Sequence, residues 1–187
     1  MYKLGIPLVI CDIETAGLSV QHDIIQLAAV AVSTKDWSEL EAFEVKLQFD
    51  PAKAEPTALK VNGYTAEAWK DAVSTETGLT RLSRLFERHR CAIRTSKAGR
   101  AYTVAIAGGY NATFDSERIF YQSRKLNIFQ AADPRFLDVM QLAFWKQLNL
   151  DSYKLTKVAE HFGLSTEGAH DALADVRMTI EVLKRLL

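Results

Sequence analysis

The chain has 187 residues, 48% of them hydrophobic, so it can bury about two thirds of its unfolded surface but is too short for two ordinary domains; we expect one domain over residues 1–187. Its 23 basic and 23 acidic residues cancel, which excludes long-range attraction of nucleic acid by a global basic field and requires any such contact to be local. Cys11 and Cys91 lack the spacing of a disulfide scaffold or a zinc ribbon. The sequence has no signal-peptide pattern and no run of about 20 apolar residues. We therefore expect a soluble, cytoplasmic protein with no membrane partner.

The first half of the chain predicts an antiparallel, three-stranded meander. Residues Ile6–Cys11 form a short apolar run that is typical of a central strand buried on both faces. Two further strands are predicted at Ile24–Val32 and over the alternating residues 43–47, with a polar turn at 33–36 between them. Farther on, apolar residues recur at helical spacing over 79–86 and predict a helix.

The second half predicts strands that alternate with helices. We expect a fourth strand over Tyr102–Ala107, closed by a turn at 108–109, and then a helix over Ala112–Leu126. A short fifth strand is predicted at Phe136–Val139. The sheet would therefore be a mixed one, flanked by helices, in an α/β fold.

A penultimate helix is predicted by apolar residues at Leu155, Val158, Ala159 and Phe162. Asp151 or Ser152 is available as its N-cap, and Gly163 as its C-terminal stop.

Asp12 and Glu14 lie two residues apart at the end of the first predicted strand. Alternation puts both side chains on one face, about 7 Å apart along the backbone, where two carboxylates repel each other. An isolated pair of this kind can be one turn or cap residue and one solvated residue. The functional interpretation is that both are oxygen ligands of a hard divalent cation, which removes the repulsion.

Asp115 lies in the first turn of the helix predicted after the fourth strand, near a strand end where functional residues of α/β sheets collect. A carboxylate at that place can also do no more than complement the helix dipole. Asn111 can likewise be only the N-cap of the helix.

His170 and Asp175 stand at the entry to the last helix, whose apolar stripe runs over 173–187 and whose predicted N-cap is Asp171. Asp175 lies on the shoulder of that stripe, where a carboxylate is poorly solvated without a partner. A lone histidine near a helix start is usually a surface or core residue. His170 differs because of the acids around it.

Three segments together resemble, in order and spacing, the three motifs of the DEDDh exonucleases, the DnaQ-like proofreading family: Asp12–Leu18, Asn111–Asp115, and His170 with Asp175 five residues later. The resemblance spans nearly the whole chain. Residues 24–28 resemble the second strand of that family, 61–65 its substrate-side loop and 155–164 its penultimate helix.

The resemblance implies a ribonuclease H-like fold and a 3′→5′ exonuclease that releases nucleoside 5′-monophosphates from a nucleic-acid 3′ end. It implies that four carboxylates hold two divalent cations, Mg²⁺ or Mn²⁺, with the first of them between the ions: Asp12, Glu14, Asp115 and Asp175. His170 would be the general base, a task that suits a group with an ordinary pKa of about 6.5.

By the same resemblance, five residues should touch the terminal nucleotide: Thr15, Gly17, Leu18, Asn111 and Phe114. The chain departs from the family pattern at two places near the site. Tyr110 stands where many relatives have histidine, and Gln26 where many have glutamate.

Several hypotheses remain open at this stage. The substrate can be DNA, which we place first, or RNA and short oligoribonucleotides, because the choice of sugar depends on contacts with the 2′-hydroxyl. An inactive nucleic-acid-binding adaptor would be marked by the loss of a carboxylate, and none is lost. A ribonuclease H-like endonuclease is disfavoured by the position of His170. A polymerase or repair partner would be a separate chain.

A basic segment over 81–100 has seven Lys and Arg residues against the single acid Glu87. It can be a solvated helix face followed by a loose loop. The alternative hypothesis is that Arg94, Lys97 and Arg100 neutralise substrate phosphates without reading the sequence.

Overall fold

The structure is a computed structural model that describes residues 5–187. The strands, numbered along the chain, are β1 (Pro7–Thr15), β2 (Ile24–Ser33), β3 (Glu39–Lys46), β4 (Ala92–Thr95), β5 (Ala101–Val104), β6 (Ala107–Gly109) and β7 (Leu137–Asp138). The α-helices are α1 (Pro56–Val61), α2 (Thr75–Arg88), α3 (Ala112–Lys125), α4 (Val139–Trp145), α5 (Leu155–His161) and α6 (Ala172–Leu186), and a 3₁₀ turn, Pro51–Lys53, precedes α1. None of these helices is both long enough and apolar enough to span a membrane.

A mixed five-stranded sheet organises the fold, as predicted, with the strand order β3-β2-β1-β6-β7. The first three strands are antiparallel neighbours, with Asp12 opposite Ala28 and Ala28 opposite Glu44. Strands β6 and β7 continue the sheet in parallel with β1. The carboxyl ends of β1, β6 and β7 therefore meet at one edge, where α/β proteins collect functional residues.

Helices cover both faces of the sheet and make two apolar cores. Helices α2 and α3 pack on the face to which Cys11 points. Helices α4, α5 and α6 pack on the face to which Ile10 points. Because side chains alternate along a strand, Asp12 and Glu14 share the face of Ile10 and point toward the side that α6 covers.

The fourth predicted strand is divided in the structure. Its first part is β5, which pairs with β4 in a separate two-stranded sheet, so the prediction of one strand over Tyr102–Ala107 was wrong. Gly108 and Gly109 lie within β6 and not in a turn after it. A Cβ on Gly109 would lie 2.8 Å from the carbonyl oxygen of Cys11, and one on Gly108 would lie 2.7 Å from that of Leu137. The close approach of the neighbouring strands explains both glycines.

The fifth strand is shorter than predicted, because only Leu137–Asp138 pairs with β6. Val139 already begins α4, which the sequence pattern did not predict. The Oδ1 atom of Asp138 accepts a hydrogen bond from the main-chain nitrogen of Met140 at 2.9 Å. This N-cap ends the strand at once and starts the helix.

The predicted helix ends are confirmed at two of three places. Asp171 caps α6 by accepting a hydrogen bond from the main chain of its first turn at 3.1 Å. Gly163 follows the end of α5 with φ +67°, as a C-terminal stop requires. The predicted N-cap of α5 at Asp151 or Ser152 was wrong. Lys154 holds that position without a side-chain hydrogen bond, since Ser152 accepts from the Lys154 nitrogen at 3.4 Å in a turn before the helix.

Candidate active site

Strand β1 carries the first two predicted ligands to the edge of the sheet. Asp12 and Glu14 are half-buried and separated by Ile13, which is buried on the opposite face. The shared face that the alternation predicted is thus present in the structure.

Helix α3 brings a third carboxylate to the same strand. Asp115 lies in the first turn of α3 and is only 3% exposed. Its Oδ1 atom accepts a hydrogen bond from the main-chain nitrogen of Ile13 at 3.1 Å, between Asp12 and Glu14. A carboxylate that only complemented the helix dipole would need no such partner on β1. Asp115 instead fixes the start of α3 to the end of β1.

Helix α6 and the loop before it supply the remaining pair. The main-chain nitrogen of His170 donates a hydrogen bond to Oδ2 of Asp175 at 3.3 Å. His170 has φ +72°, a conformation that non-glycine residues rarely adopt unless surrounding contacts fix it. One possible ligand atom from each of Glu14, His170 and Asp175 lies within 4.8 Å of the other two. The histidine and two of the predicted carboxylates therefore meet in one cluster.

Burial raises the pKa of all four carboxylates, and repulsion from other carboxylates of the cluster adds to the effect at Asp12 and Glu14. Burial, then Asp175 and Asp115, raise the pKa of Glu14 to about 8. Burial raises the pKa of Asp115 to about 8 although the hydrogen bond from Ile13 opposes the change. The pKa of Asp12 is raised well above its ordinary value by burial and then by repulsion from Asp115. The cluster thus concentrates acidic groups whose ionisation burial opposes, so a bound cation would favour their charged forms.

The residues fit a site for divalent cations. Within residues 5–187, none of the four carboxylates lies within 4.0 Å of a Lys or Arg nitrogen. The Oδ1 atom of Asp175 is buried and has no hydrogen-bond partner in the described part of the chain. A buried carboxylate oxygen needs a donor or a cation, and such oxygens are the ligands that hard divalent ions prefer. The exposed His170 lies at the rim of the cluster.

A cavity of about 280 Å³ opens beside the carboxylates, with Glu14 in its wall. It is lined by four of the five residues that were expected to touch a nucleotide: Thr15, Gly17, Leu18 and Phe114. The segment 61–65 was expected at the substrate side, and Val61 and Asn62 form part of the opposite wall. The Asn62 side chain donates a hydrogen bond to the carbonyl oxygen of Thr15 at 3.0 Å, which joins the two walls.

The turn at Gly17 shows why the motif has a glycine there. A Cβ on Gly17 would lie 2.3 Å from Nδ1 of His22 and 2.7 Å from the carboxyl carbon of Glu55. The main-chain nitrogen of Leu18 donates to Oε1 of Glu55 at 3.3 Å, while the Leu18 side chain is 76% exposed. The hydrogen bond to Glu55 fixes the main chain of Leu18, while its apolar side chain remains accessible to a ligand.

Asn111 is the predicted contact that the structure separates from the others. It holds the N-cap position of α3 with φ +56°, makes no capping hydrogen bond with its side chain, and does not line the cavity. Its main-chain nitrogen donates to Oδ1 of Asp138 at 3.2 Å. Asparagine tolerates this left-handed conformation better than most residues, which accounts for its presence.

The two departures from the family pattern have structural partners. The Tyr110 hydroxyl donates to the carbonyl oxygen of Tyr153 at 2.6 Å, which ties the end of β6 to the loop before α5. Gln26 is only 2% exposed, and its amide donates to Oδ2 of Asp171 at 3.1 Å and to Oε1 of Glu44 at 2.7 Å. Sequence reasoning missed that Gln26 holds the residue next to His170, because the pairing spans 145 positions.

The basic segment is a helix end and a hairpin, not a loose loop. Arg94 in β4 donates through Nε to Oδ2 of the buried Asp133 at 2.6 Å, so the structure gives it a structural partner. Lys97 and Arg100 are exposed at the turn between β4 and β5, and neither forms an ion pair with a described acidic residue. Only these two of the three proposed phosphate contacts remain unengaged.

Comparison with known proteins agrees with this geometry. The chain is 28% identical over 189 residues to ribonuclease T of Marinobacter nauticus, covering 93% of this chain and 79% of that protein. It is 26% identical over 180 residues to the PolC-type DNA polymerase III of Caldanaerobacter subterraneus subsp. tengcongensis, covering 96% of this chain but 11% of that protein. The chain thus spans about a tenth of the PolC-type relatives' length.

Solved structures show the same fold. Escherichia coli exonuclease I, solved in complex with a dT13 oligonucleotide, superposes with a TM-score of 0.71 at 20% identity, over 97% of this chain and 41% of that one. A 3′-exonuclease described for recognition of the histone mRNA stem-loop superposes with a TM-score of 0.74 at 13% identity, over 99% and 83%. The RNase T family model, described as exonuclease, matches residues 9–183. The chain therefore belongs to the RNase T family of exonucleases, whose DEDDh-type motifs it carries.

Proposed function

We propose that the chain is a 3′→5′ exonuclease that hydrolyses the terminal phosphodiester bond of a nucleic-acid strand. The observation that carries the proposal is the cluster of one buried and three half-buried carboxylates at the edge of the sheet. It has no ion pair with Lys or Arg among the described residues and lies next to a cavity of about 280 Å³. Family membership supports it.

Two divalent cations, Mg²⁺ or Mn²⁺, would be held by the four carboxylates Asp12, Glu14, Asp115 and Asp175. When bound, such ions activate an attacking water and stabilise the leaving 3′ oxygen of an in-line displacement. The carboxylates suit them because burial and mutual repulsion favour any cation that neutralises the cluster. Reaction at an internal bond is disfavoured because His170, five residues before Asp175, matches the exonuclease arrangement.

His170 would be the general base. Its ring lies at the exposed rim of the cluster, within 4.8 Å of ligand atoms of Glu14 and Asp175, so a ring nitrogen can accept the proton of a water that attacks from the solvent side. The hydrogen bond from its main chain to Asp175 keeps this loop at the start of α6.

The terminal nucleotide would occupy the cavity that Leu18, Phe114 and Val61 line with apolar groups. Thr15, Gly17 and Asn62 line the same cavity with main-chain and polar groups suited to a sugar or phosphate. Both sugars remain candidates: DNA is our first proposal, and the 28% identity to ribonuclease T favours 3′ trimming of RNA as the second.

The proposal is tested with 5′-labelled DNA and RNA single strands of one sequence, incubated with Mg²⁺, Mn²⁺ or EDTA. We expect a metal-dependent ladder that shortens from the 3′ end, and the faster strand identifies the sugar. Asp12→Ala should lower turnover about a thousandfold or more, since it removes one of the four carboxylates that would hold the ions. His170→Ala should leave slow, metal-dependent activity about 10² to 10⁴ times below the parent.

Asp151→Ala is the matched control, because Asp151 is an exposed aspartate that lies outside the cluster. It should cleave like the parent. Full activity of Asp12→Ala would refute the assignment of the site, and metal-dependent cleavage that starts within the strand would refute the exonuclease direction.

A further inference from the structure

Arg118 is a buried cation just behind the nucleotide cavity. It lies one turn after Asp115 on α3, and 5% of its surface is exposed. Among the described residues no carboxylate lies within 4.0 Å of its guanidinium, and its Nε atom has no hydrogen-bond partner. Burial of a cation without an ionic partner is unfavourable, and this burial lowers the pKa of Arg118. Any favourable contribution of Arg118 to the fold must therefore come from the contacts that its guanidinium makes.

The guanidinium joins two walls of the cavity. One terminal nitrogen, Nη2, donates a hydrogen bond to the carbonyl oxygen of Leu18, a hundred positions earlier in the chain. The other, Nη1, donates to the carbonyl oxygen of Phe114 at 3.0 Å. The guanidinium carbon lies 3.4 Å from the centroid of the Phe114 ring, in a stacked cation–π contact. Leu18 and Phe114 both line the cavity, so Arg118 holds them from behind.

Leu18 has few other restraints. Leu18 is 76% exposed, and with the residues from 5 onward its main chain makes one further hydrogen bond, from its nitrogen to Glu55 at 3.3 Å. The Phe114 ring is half-buried and packs on its other side against the α2–α3 core. Without the guanidinium, the Leu18 carbonyl would be free to turn to water, and the spacing between the two apolar walls would no longer be fixed.

We propose that Arg118 is a positioning residue that sets the distance between Leu18 and Phe114. This distance would determine how tightly the cavity binds the base of the 3′-terminal nucleotide. The inference rests on the proposed exonuclease function and adds a residue that touches neither metal nor substrate. Lysine cannot replace it, because a single ammonium lacks the planar fork that donates in two directions while it stacks on a ring.

The experiment compares Arg118→Met and Arg118→Lys with the parent on two DNA strands that differ only at the 3′ end. One ends in a normal nucleotide and the other in an abasic residue, which has no base to grip. We expect Arg118→Met to lower kcat/KM about tenfold on the normal strand and less than about twofold on the abasic strand. Arg124→Met, an exposed position on the same helix, is the matched control and should change neither value.

Binding gives a second readout that does not depend on cleavage. In an Asp12→Ala background, Arg118→Met should weaken binding of the normal strand by a similar factor, measured by fluorescence anisotropy, and leave the abasic strand unchanged. Equal losses on both strands, or loss with Arg118→Met but not with Arg118→Lys, would overturn the proposal. If the parent cleaves neither these strands nor their RNA counterparts, the exonuclease function fails and the binding comparison alone decides the role of Arg118. Absence of binding to both DNA and RNA would reject both proposals.

Discussion

Two buried aspartates, Asp115 and Asp133, have different neighbours and their pKa values shift in opposite directions. Their exposures are nearly equal, 3% and 4%. Burial raises the pKa of Asp115 to about 8, although the hydrogen bond from Ile13 and the charge of Arg118 oppose the change. Burial acts on Asp133 as well, but hydrogen bonds from Arg135 and Arg94 outweigh it and lower the pKa of Asp133. The chemistry of the side chain is the same, and the neighbours decide the outcome.

The Asp133 arrangement is how a folded protein ordinarily accommodates a buried acid. Arg94 reaches it from the β4–β5 hairpin at 2.6 Å and Arg135 from two residues away at 3.2 Å. At the carboxyl edge of the sheet the chain has arginine available, since Arg118 lies on the same helix as Asp115, yet that guanidinium points to main-chain carbonyls instead. Leaving the acids unpaired is unfavourable for the metal-free fold and is expected where bound cations restore the balance.

The largest expected difference in turnover and stability is between two variants that each remove one charge, Asp115→Asn and Asp133→Asn. Asp115→Asn keeps the shape and the acceptor for the Ile13 nitrogen. It should lower exonuclease turnover about a thousandfold while the metal-free protein melts at the same or a higher temperature. Asp133→Asn should keep turnover within about threefold and lose about 1–3 kcal/mol of stability, because two arginines lose a charged acceptor. Turnover with labelled strands and denaturant unfolding measure the two effects.

Two outcomes with these variants would contradict the different roles of Asp115 and Asp133. If Asp115→Asn destabilises the metal-free protein as much as Asp133→Asn does, the acid cluster is structural. If Asp133→Asn abolishes turnover in a folded protein, the hairpin end takes part in the reaction.

The carboxylate cluster is the part of the molecule that the sequence predicts best, because its signals are local. Period-two alternation puts Asp12 and Glu14 on one face wherever the strand pairs, and the short spacing from His170 to Asp175 fixes both at one helix start. The resemblance to the exonuclease family then predicted the cluster and most of the cavity wall.

The structure around Asp133, β6 and Arg118 depends on contacts between residues far apart in the sequence, and a local sequence pattern does not contain them. Arg94 and Asp133 are 39 positions apart, so a basic segment looked like a solvated surface while one of its arginines was engaged. Gly108 and Gly109 looked like a turn, because glycine usually interrupts strands; here neighbouring carbonyl groups lie too close for a side chain. Arg118 was missed because its partner Leu18 is a hundred positions away.

A smaller effect is expected on stability as pH changes without metal. The pKa of Glu14 is raised from 4.5 to about 8, so the folded protein keeps a proton there that the unfolded chain has lost. The stability from this proton is fully present below about pH 4.5 and is lost as pH rises through 8. In EDTA the melting temperature should therefore fall between pH 5 and 8.5 by a few degrees or more.

Metal should remove this dependence, since Mg²⁺ or Mn²⁺ binds the deprotonated carboxylates and stabilises the fold by mass action. Excess metal should restore the melting temperature at pH 8.5 and have little effect at pH 5. Asp133→Asn should keep the same slope in EDTA, because the lowered pKa of Asp133 matters only in acid. An EDTA profile that is flat or rises over this range would contradict the electrostatic account of the cluster.

The smallest expected effect concerns the β4–β5 hairpin, whose Arg94 pairs with the buried Asp133. The question is whether this hairpin also binds the nucleic-acid strand. Lys97 and Arg100 are exposed and have no ionic partner among the described residues, whereas Arg94 is engaged by Asp133. If the two exposed cations contact phosphates, Lys97→Glu with Arg100→Glu should weaken binding of a single strand and lower the slope of log affinity against log salt by about 1.4. The exchange Lys97→Arg with Arg100→Lys keeps both charges and should leave affinity and slope unchanged. Equal salt slopes for parent and charge-reversed protein would restrict the hairpin to a structural role and leave strand binding to the carboxyl edge of the sheet.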